Sequence, residues 1–194
     1  MEKENNPFIE SKTFEKVDFT NVALSKGEYE NSSFKDCDFS GCDLSGFSFM
    51  DCCFTGCNLS LVKLSQTAFK EVQFKGCKLM GLHFENCNTF LFAIDFDHCL
   101  LNLSSFYKLN LKRTKFKECS LQEVDFTESD LSCNSFDNCD LSGALFDNTN
   151  LEKADFRSAF NYAIDPELNR LKKAKFSLSG IPGLLEKLGI IIEI

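Results

Sequence analysis

The sequence predicts an all-β solenoid, and two periodic observations carry that prediction. From Phe14 a large apolar residue recurs at every fifth position: Phe14, Phe19, Leu24, Tyr29, Phe34 and onward without a miss to Phe84. Thr89 interrupts the series. It resumes two residues out of phase as Leu91, Phe96, Leu101, Phe106 and alternates leucine with phenylalanine to Phe156. An α-helix repeats at about 3.6 residues and a strand at about 2, so neither yields an unbroken period of five. The second observation is the residue two before each centre, which is mostly small: Val17, Cys37, Cys57, Cys77, Cys99, Cys119 and Cys139 form one such series. The other three positions of each unit are mostly Asp, Asn, Ser, Gly, Lys or Glu. Each unit therefore turns one large and one small side chain inward and shows three polar positions to water, with turn-forming residues at regular intervals. Short strands stacked coil on coil, their backbone groups paired between coils, satisfy this pattern.

Units such as Cys37-Asp38-Phe39-Ser40-Gly41, Cys42-Asp43-Leu44-Ser45-Gly46 and Ala154-Asp155-Phe156-Arg157-Ser158 resemble those of the pentapeptide-repeat proteins over roughly residues 7 to 181. That resemblance implies a right-handed quadrilateral β-helix with four pentapeptides per coil. The columns of the sequence test it independently. At a spacing of 20 residues, Phe14, Phe34, Phe54 and Phe74 fall in one column, and a two-residue offset continues it as Phe96, Phe116, Phe136, Phe156 and Phe176. The segment Glu85 to Asp95 must hold the two extra residues as a bulge or short loop. The chain divides into a β-helix over 1–181, with its register shift within 85–95, and a C-terminal element over 182–194.

That C-terminal element departs from the repeat. Ser179 to Gly189 reads as a short helix, with Ser179 as a cap, Pro182 in the first turn and Gly189 as the stop. Ile190 to Ile194 reads as an apolar strand. The end of a solenoid exposes unpaired strand groups and needs a cover. Ile181, Leu184, Leu185, Leu188, Ile190 and Ile192 could cover it or pair with the same end of a second chain about a two-fold axis.

The composition narrows the function. The 194 residues carry 21 Lys plus Arg against 29 Asp plus Glu, a net charge of −8. Binding to phosphates or to an anionic membrane needs clustered cations, so nucleic acid and membrane surfaces are poor partners. There is no apolar run of membrane-spanning length and no signal-peptide pattern in MEKENNPF, so the chain reads as soluble and cytoplasmic. Eleven cysteines in such a chain read as reduced thiols. Nine of the eleven sit at the small inward position, Cys53 and Cys133 being the exceptions, and a reduced cysteine is a small apolar filler. A redox or metal role for them is the remote third class. His83 and His98 fall at outward positions, and no catalytic triad, phosphate loop or paired-carboxylate motif stands out. The reading is a non-enzyme with no cofactor and no small-molecule substrate.

The acids carry the functional signal. Glu118, Glu123, Asp125, Glu128, Asp130, Asp137, Asp140, Asp147 and Glu152 follow one another with no Lys or Arg between them. Two readings stand side by side: turn chemistry favours Asp and makes the chain acidic as a by-product, or a negative rod presents its charge to a basic groove. The 28 centres outside the break make seven coils, a rod of roughly 34 Å at about 4.8 Å per strand.

Leu184-Leu185-Glu186-Lys187-Leu188-Gly189-Ile190 resembles the C-terminal helix of the Qnr group within that family. The resemblance implies a homodimer joined at its C-termini, which binds DNA gyrase and topoisomerase IV as a duplex mimic and protects them from quinolones. The first eight of the nine acids would be the partner-binding surface. Qnr proteins carry two loops that interrupt the repeat. Here the repeat is unbroken from Phe14 to Phe84, which leaves no place for the first. Glu85, Asn86, Asn88, Thr89, Phe90 and Phe92 are the candidates for a reduced second loop. The rival reading is a general protein-interaction scaffold with no topoisomerase role.

Overall fold

The computed structural model describes residues 7–112 and 114–191, and it is a parallel, four-sided β-solenoid. Strands form where a centre is flanked by residues that tolerate extended backbone. The first face of the rod contains β2 (Thr13–Glu15), β4 (Ser33–Lys35), β6 (Cys53–Thr55), β8 (Val72–Lys75), β9 (Ile94–Asp97), β10 (Phe116–Lys117) and β11 (Phe136–Asp137). These pair in parallel as one seven-stranded sheet. Phe14, Phe34, Phe54 and Phe74 are in register, and Phe74 pairs with Phe96, then Phe116 and Phe136. The fourth face contains β1 (Phe8–Glu10), β3 (Glu28–Glu30), β5 (Ser48–Met50) and β7 (Ala68–Lys70). The second and third faces, centred on Phe39 to Leu141 and on Leu44 to Phe146, are held by single bridges such as Asp38 to Asn58 and Ser105 to Asp125. The right-handed quadrilateral β-helix expected from the repeat is the fold.

The centres fill the interior. Phe34 and Phe54 stack at 4.6 Å with planes 8° apart, and Phe116 and Phe136 at 5.4 Å and 8°. Rings on the first and third faces meet edge-on, as Phe106 does Phe116 at 5.9 Å and 85°. This is the arrangement that the ring quadrupole favours. The small inward residues fill the corners. Cys37, Cys57, Cys77, Cys99, Cys119 and Cys139 form one buried column, and the Cys57, Cys77 and Cys99 thiols donate to the carbonyls of Phe34, Phe54 and Phe74. Where Thr67 or Thr149 takes such a position, its hydroxyl donates to Leu44 or Phe126 in the same way, at 2.8 and 2.9 Å.

The second residue after most centres turns the corner in the left-handed region. Lys16, Asp36, Glu118, Glu123 and Glu128 have φ between 51 and 57° there. Gly41, Gly46, Gly76 and Gly143 hold the same place at φ of 61 to 72°. Many of the residues before a centre brace the turn from the other side. Asp38, Asp43, Asp125, Asp130 and Asp140 each accept the N–H two residues on.

Four sequence expectations need correcting. Leu91 is not an inward centre: it is 64% exposed with φ of 57°. Two extra residues must leave the coil at this corner, Leu91 rides on the turn that expels them, and Phe92 packs against the core instead. Val22, two before Leu24 and so at an inward position by the repeat, is 62% exposed, and among the described residues no coil lies beneath it. Ser179 is not the helix cap. It lies in a 3-10 turn, Leu178–Gly180, and α1 (Pro182–Leu185) starts from Ile181, with Pro182 in its first turn. A further 3-10 turn, Glu186–Leu188, ends at Gly189 with φ of 62°. Ile190 and Ile191 form no strand, and Ile192 lies outside the described residues.

The C-terminal element docks on the last coil. The Ile164 N–H donates to the Gly183 carbonyl at 2.9 Å. A β-carbon on Gly183 would stand 2.1 Å from the Tyr162 carbonyl oxygen, so only glycine allows this approach. Among the described residues no helix is long and apolar enough to cross a membrane.

Candidate partner-binding surface

The twenty-residue coil sorts the predicted acids by face. Glu123, Asp125, Glu128, Asp140 and Asp147 lie on the second and third faces and the corners that follow them. Glu118 and Asp137 belong to the first face, and Asp130 to the fourth. Between residues 100 and 158 the second and third faces carry five acids and one base, Lys108. Among the described residues, the fourth and first faces carry five acids and five bases over the same span. The acidic stretch of the sequence is therefore an acidic side of the rod, not an acidic ring.

The first face is built differently. Along it Lys75, Asp97, Lys117 and Asp137 stand in successive coils in register. Lys117 lies 3.5 Å from Asp97 and 3.7 Å from Glu118, and His98 also contacts Glu118. Beside that row Lys115 reaches Asp95 at 3.7 Å, and Lys175 reaches Asp155 at 3.5 Å. Alternating charge at one-coil spacing cancels locally and leaves no phosphate-like row here.

On the acidic side, the carboxylates divide by what they hold. Asp125 and Asp140 brace their own turns, so turn chemistry accounts for their presence. Burial alone would raise Asp140. Hydrogen bonds from Gln122, Ser142 and Asn161 outweigh it and keep the carboxyl below its ordinary range. On the fourth face, burial of Asp130 is likewise outweighed by bonds from Ser132, Lys112 and Asn150. The Glu123, Glu128 and Asp147 carboxylates accept no backbone N–H of their turns, although Glu123 and Glu128 stand at corners. Glu128 pairs with Lys108 at 3.4 Å, and Asp147 lies 3.9 Å from Lys187. Glu123 has no ion pair among the described residues. Asp165 was missed by the sequence reading. It stands 4.0 Å from the same Lys187 that meets Asp147, and counting two coils, 40 residues, on from Asp125 along the third-face column would have reached it.

The candidate loop is smaller than its candidate residues. Phe84–Asn86 is a 3-10 turn within the coil, with Phe84 buried and Glu85 accepting from His83 at 2.8 Å. Asn88 bridges to Ala68 in the ordinary register. The excursion is confined to residues 89–93. Phe90, 69% exposed, stands at its tip with the Lys70 ammonium 6.0 Å from its ring. The expected dimer residues present an exposed apolar surface at the C-terminal end. Ile181, Leu188 and Ile190 are exposed there, and Leu184 and Leu185 are half-buried against the last coil. Among the described residues no three of His, Cys, Asp and Glu converge as a metal ion would need.

A model described as "Pentapeptide repeat region" matches residues 47–126, and one described as "Pentapeptide repeats (8 copies)" matches 18–56, 110–148 and 135–160. The chain belongs to the pentapeptide-repeat family. Among solved structures it is similar to HetL, a pentapeptide repeat protein involved in heterocyst differentiation regulation from the cyanobacterium Nostoc sp. strain PCC 7120. The two share 17% identity over 89% of this chain and 88% of that one, with a TM-score of 0.57. It also aligns with QnrB1, a plasmid-mediated fluoroquinolone resistance protein, at 22% identity over 96% of this chain and 99% of that one, with a TM-score of 0.46. No curated protein matches the sequence.

Proposed function

We propose that this pentapeptide-repeat protein binds a type II topoisomerase, DNA gyrase or topoisomerase IV, as a mimic of duplex DNA. The observation that carries the reading is the one-sided charge: five acids against one base on the second and third faces of the C-terminal half. A rod with acid on one long side offers a basic groove a continuous negative track, and complementary potentials of this kind steer and align partners. Turn chemistry alone predicts acid on every face and does not account for Glu123, Glu128 and Asp147. The chain acts as a non-enzymatic, cytoplasmic protein that needs no cofactor. It works as a homodimer joined through Ile181, Leu184, Leu185, Leu188 and Ile190, with Ile192 beyond them, which doubles the length of the track. The Qnr-like run Leu184 to Ile190 supports that joint, as does the apolar exposure at this end.

The second reading, a general interaction scaffold, draws on the first face, where paired charges cancel. A supercoiling assay with purified gyrase, with and without ciprofloxacin, separates the two. Inhibition or drug protection by the wild-type chain supports mimicry, and no effect at micromolar protein leaves the scaffold. Removal of residues 181–194 should convert a dimer to monomer or aggregate on a sizing column. An unchanged dimer would place the joint elsewhere.

A further inference from the structure

We infer that Leu61, Met80, Leu100 and Leu103 form the apolar anchor of the partner contact, set at the N-terminal end of the acidic side. Leu61 and Leu103 occupy the corner after the second face, where other coils place Asn21, Gly41, Gly81, Glu123 and Gly143. Both leucines are in the left-handed region, at φ of 59 and 63°, a conformation that bulky side chains disfavour. Both are also exposed, at 69 and 57%. Folding asks for neither feature, because a polar residue or glycine serves the same corner better on both counts. The three successive corners are locked together by backbone bonds. The Leu61 N–H donates to Met80 at 2.9 Å, Gly81 to Asn102 at 3.0 Å and Leu103 to Gln122 at 2.9 Å. Leu61 lies across Gly81, where an added β-carbon would come within 2.9 Å of its Cδ2, so the glycine lets the leucine lie flat between its neighbours. Met80 and Leu100, exposed on the second face itself, extend the patch.

The occupant is a protein surface with an apolar pocket beside cations. The charge on the C-terminal side of the patch says so: Glu123 stands on the same corner one coil beyond Leu103, with Asp125 and Asp140 near it, while Lys78, in register with Leu100, is the base on the patch's other side. An apolar centre flanked by charge is the anatomy of a specific protein interface, and contiguous exposed apolar residues mark such sites. Nucleic acid and a lipid headgroup surface do not fit, since both would meet the carboxylates. For a named partner the inference rests on the topoisomerase reading, and it assigns to these four residues the part of the affinity that charge does not supply.

The test is Leu61→Asn with Leu103→Asn, since asparagine tolerates the left-handed corner. The unfolding midpoint should hold or rise. Affinity for purified gyrase should fall at least tenfold, while the salt dependence of the remaining binding keeps its wild-type slope, because no charge has changed. Met80→Gln with Leu100→Gln, at positions of ordinary backbone, checks the same surface independently of the corner and should give the same loss. Wild-type affinity in both variants would overturn the anchor and leave the topoisomerase reading standing. Absence of binding by the wild-type chain would overturn both.

Discussion

Phe74 and Phe96 stack at 5.5 Å with their planes 15° apart, and they pair in register although 22 residues separate them instead of 20. The column of rings is indifferent to the insertion because the two extra residues leave the coil between Asn88 and Ile94. The bulge is then a local addition to an otherwise continuous stack. Deleting Thr89 and Phe90 should restore the uninterrupted repeat, with Leu91 moved to the inward position that its spacing predicts. Burying a leucine is worth about 1.5–3 kcal/mol and replaces the packing that Phe92 gives up, so the unfolding free energy should hold. A loss of stability on chemical denaturation would mean that the bulge itself supports the coil.

Core packing in this column can be probed singly. Phe116 is buried and stacks on Phe96 and Phe136 at 5.4 Å each. Phe116→Ala should cost about 3–5 kcal/mol, the usual range for a buried phenylalanine. Urea denaturation reads it directly, and an unmoved midpoint would contradict the columnar core.

The cysteines should divide by exposure. Cys133 is exposed, Cys42 and Cys53 are half-buried, and the remaining eight are buried. Burial pushes the Cys52 thiol up to about 11 and raises Cys87 as well. A thiol must also meet its reagent, and the buried eight are closed off inside the coils, so they should stay silent at neutral pH. A chromogenic thiol reagent should react fast with Cys133, slowly with Cys42 and Cys53, and with all eleven only in denaturant. Fast reaction of more than three thiols in the native protein would show that the coils open.

The fold was legible because the repeat states it twice, once in the fives and again in the twenties. Phe14 to Phe156 needed nothing beyond counting. What the count could not supply was the fate of Leu91, since two residues had to leave the register and spacing alone cannot say which. Phe92 reaches the core and Leu91 turns outward, a choice made by the corner's need for positive φ. The ends were legible only in part for a related reason. Val22 follows the pattern, but among the described residues no coil lies beneath it to bury it. The acids were found as a run, yet their grouping is set by the fold. Neighbours in sequence such as Glu128 and Asp130 pass to different faces, while Asp125 and Asp165 share one. Leu61 and Leu103 went unnoticed because the apolar count followed the centres. The signal that would have found them is a leucine two places after a centre, where the corner calls for glycine or a polar residue.

Mimicry makes a directional demand that net charge does not. Two variants with the same total charge separate the two. Glu123→Lys, Glu128→Lys and Asp147→Lys strip the acidic side, whereas Glu118→Lys, Asp137→Lys and Glu152→Lys alter the first and fourth faces. Each set moves the net charge from −8 to −2. None of the six is an inward residue or accepts its own turn's backbone N–H, and surface changes usually stay within about 0.5 kcal/mol each, so both variants should fold. The first set should abolish gyrase binding and flatten its salt dependence, because it removes the carboxylates that face the groove. The second should bind with nearly wild-type affinity, since those acids sit among lysines and arginines that already cancel them. Equal losses in both would reduce the effect to overall charge. Undiminished binding by the first set would remove the basis for mimicry and leave a scaffold whose acidity follows from its turns.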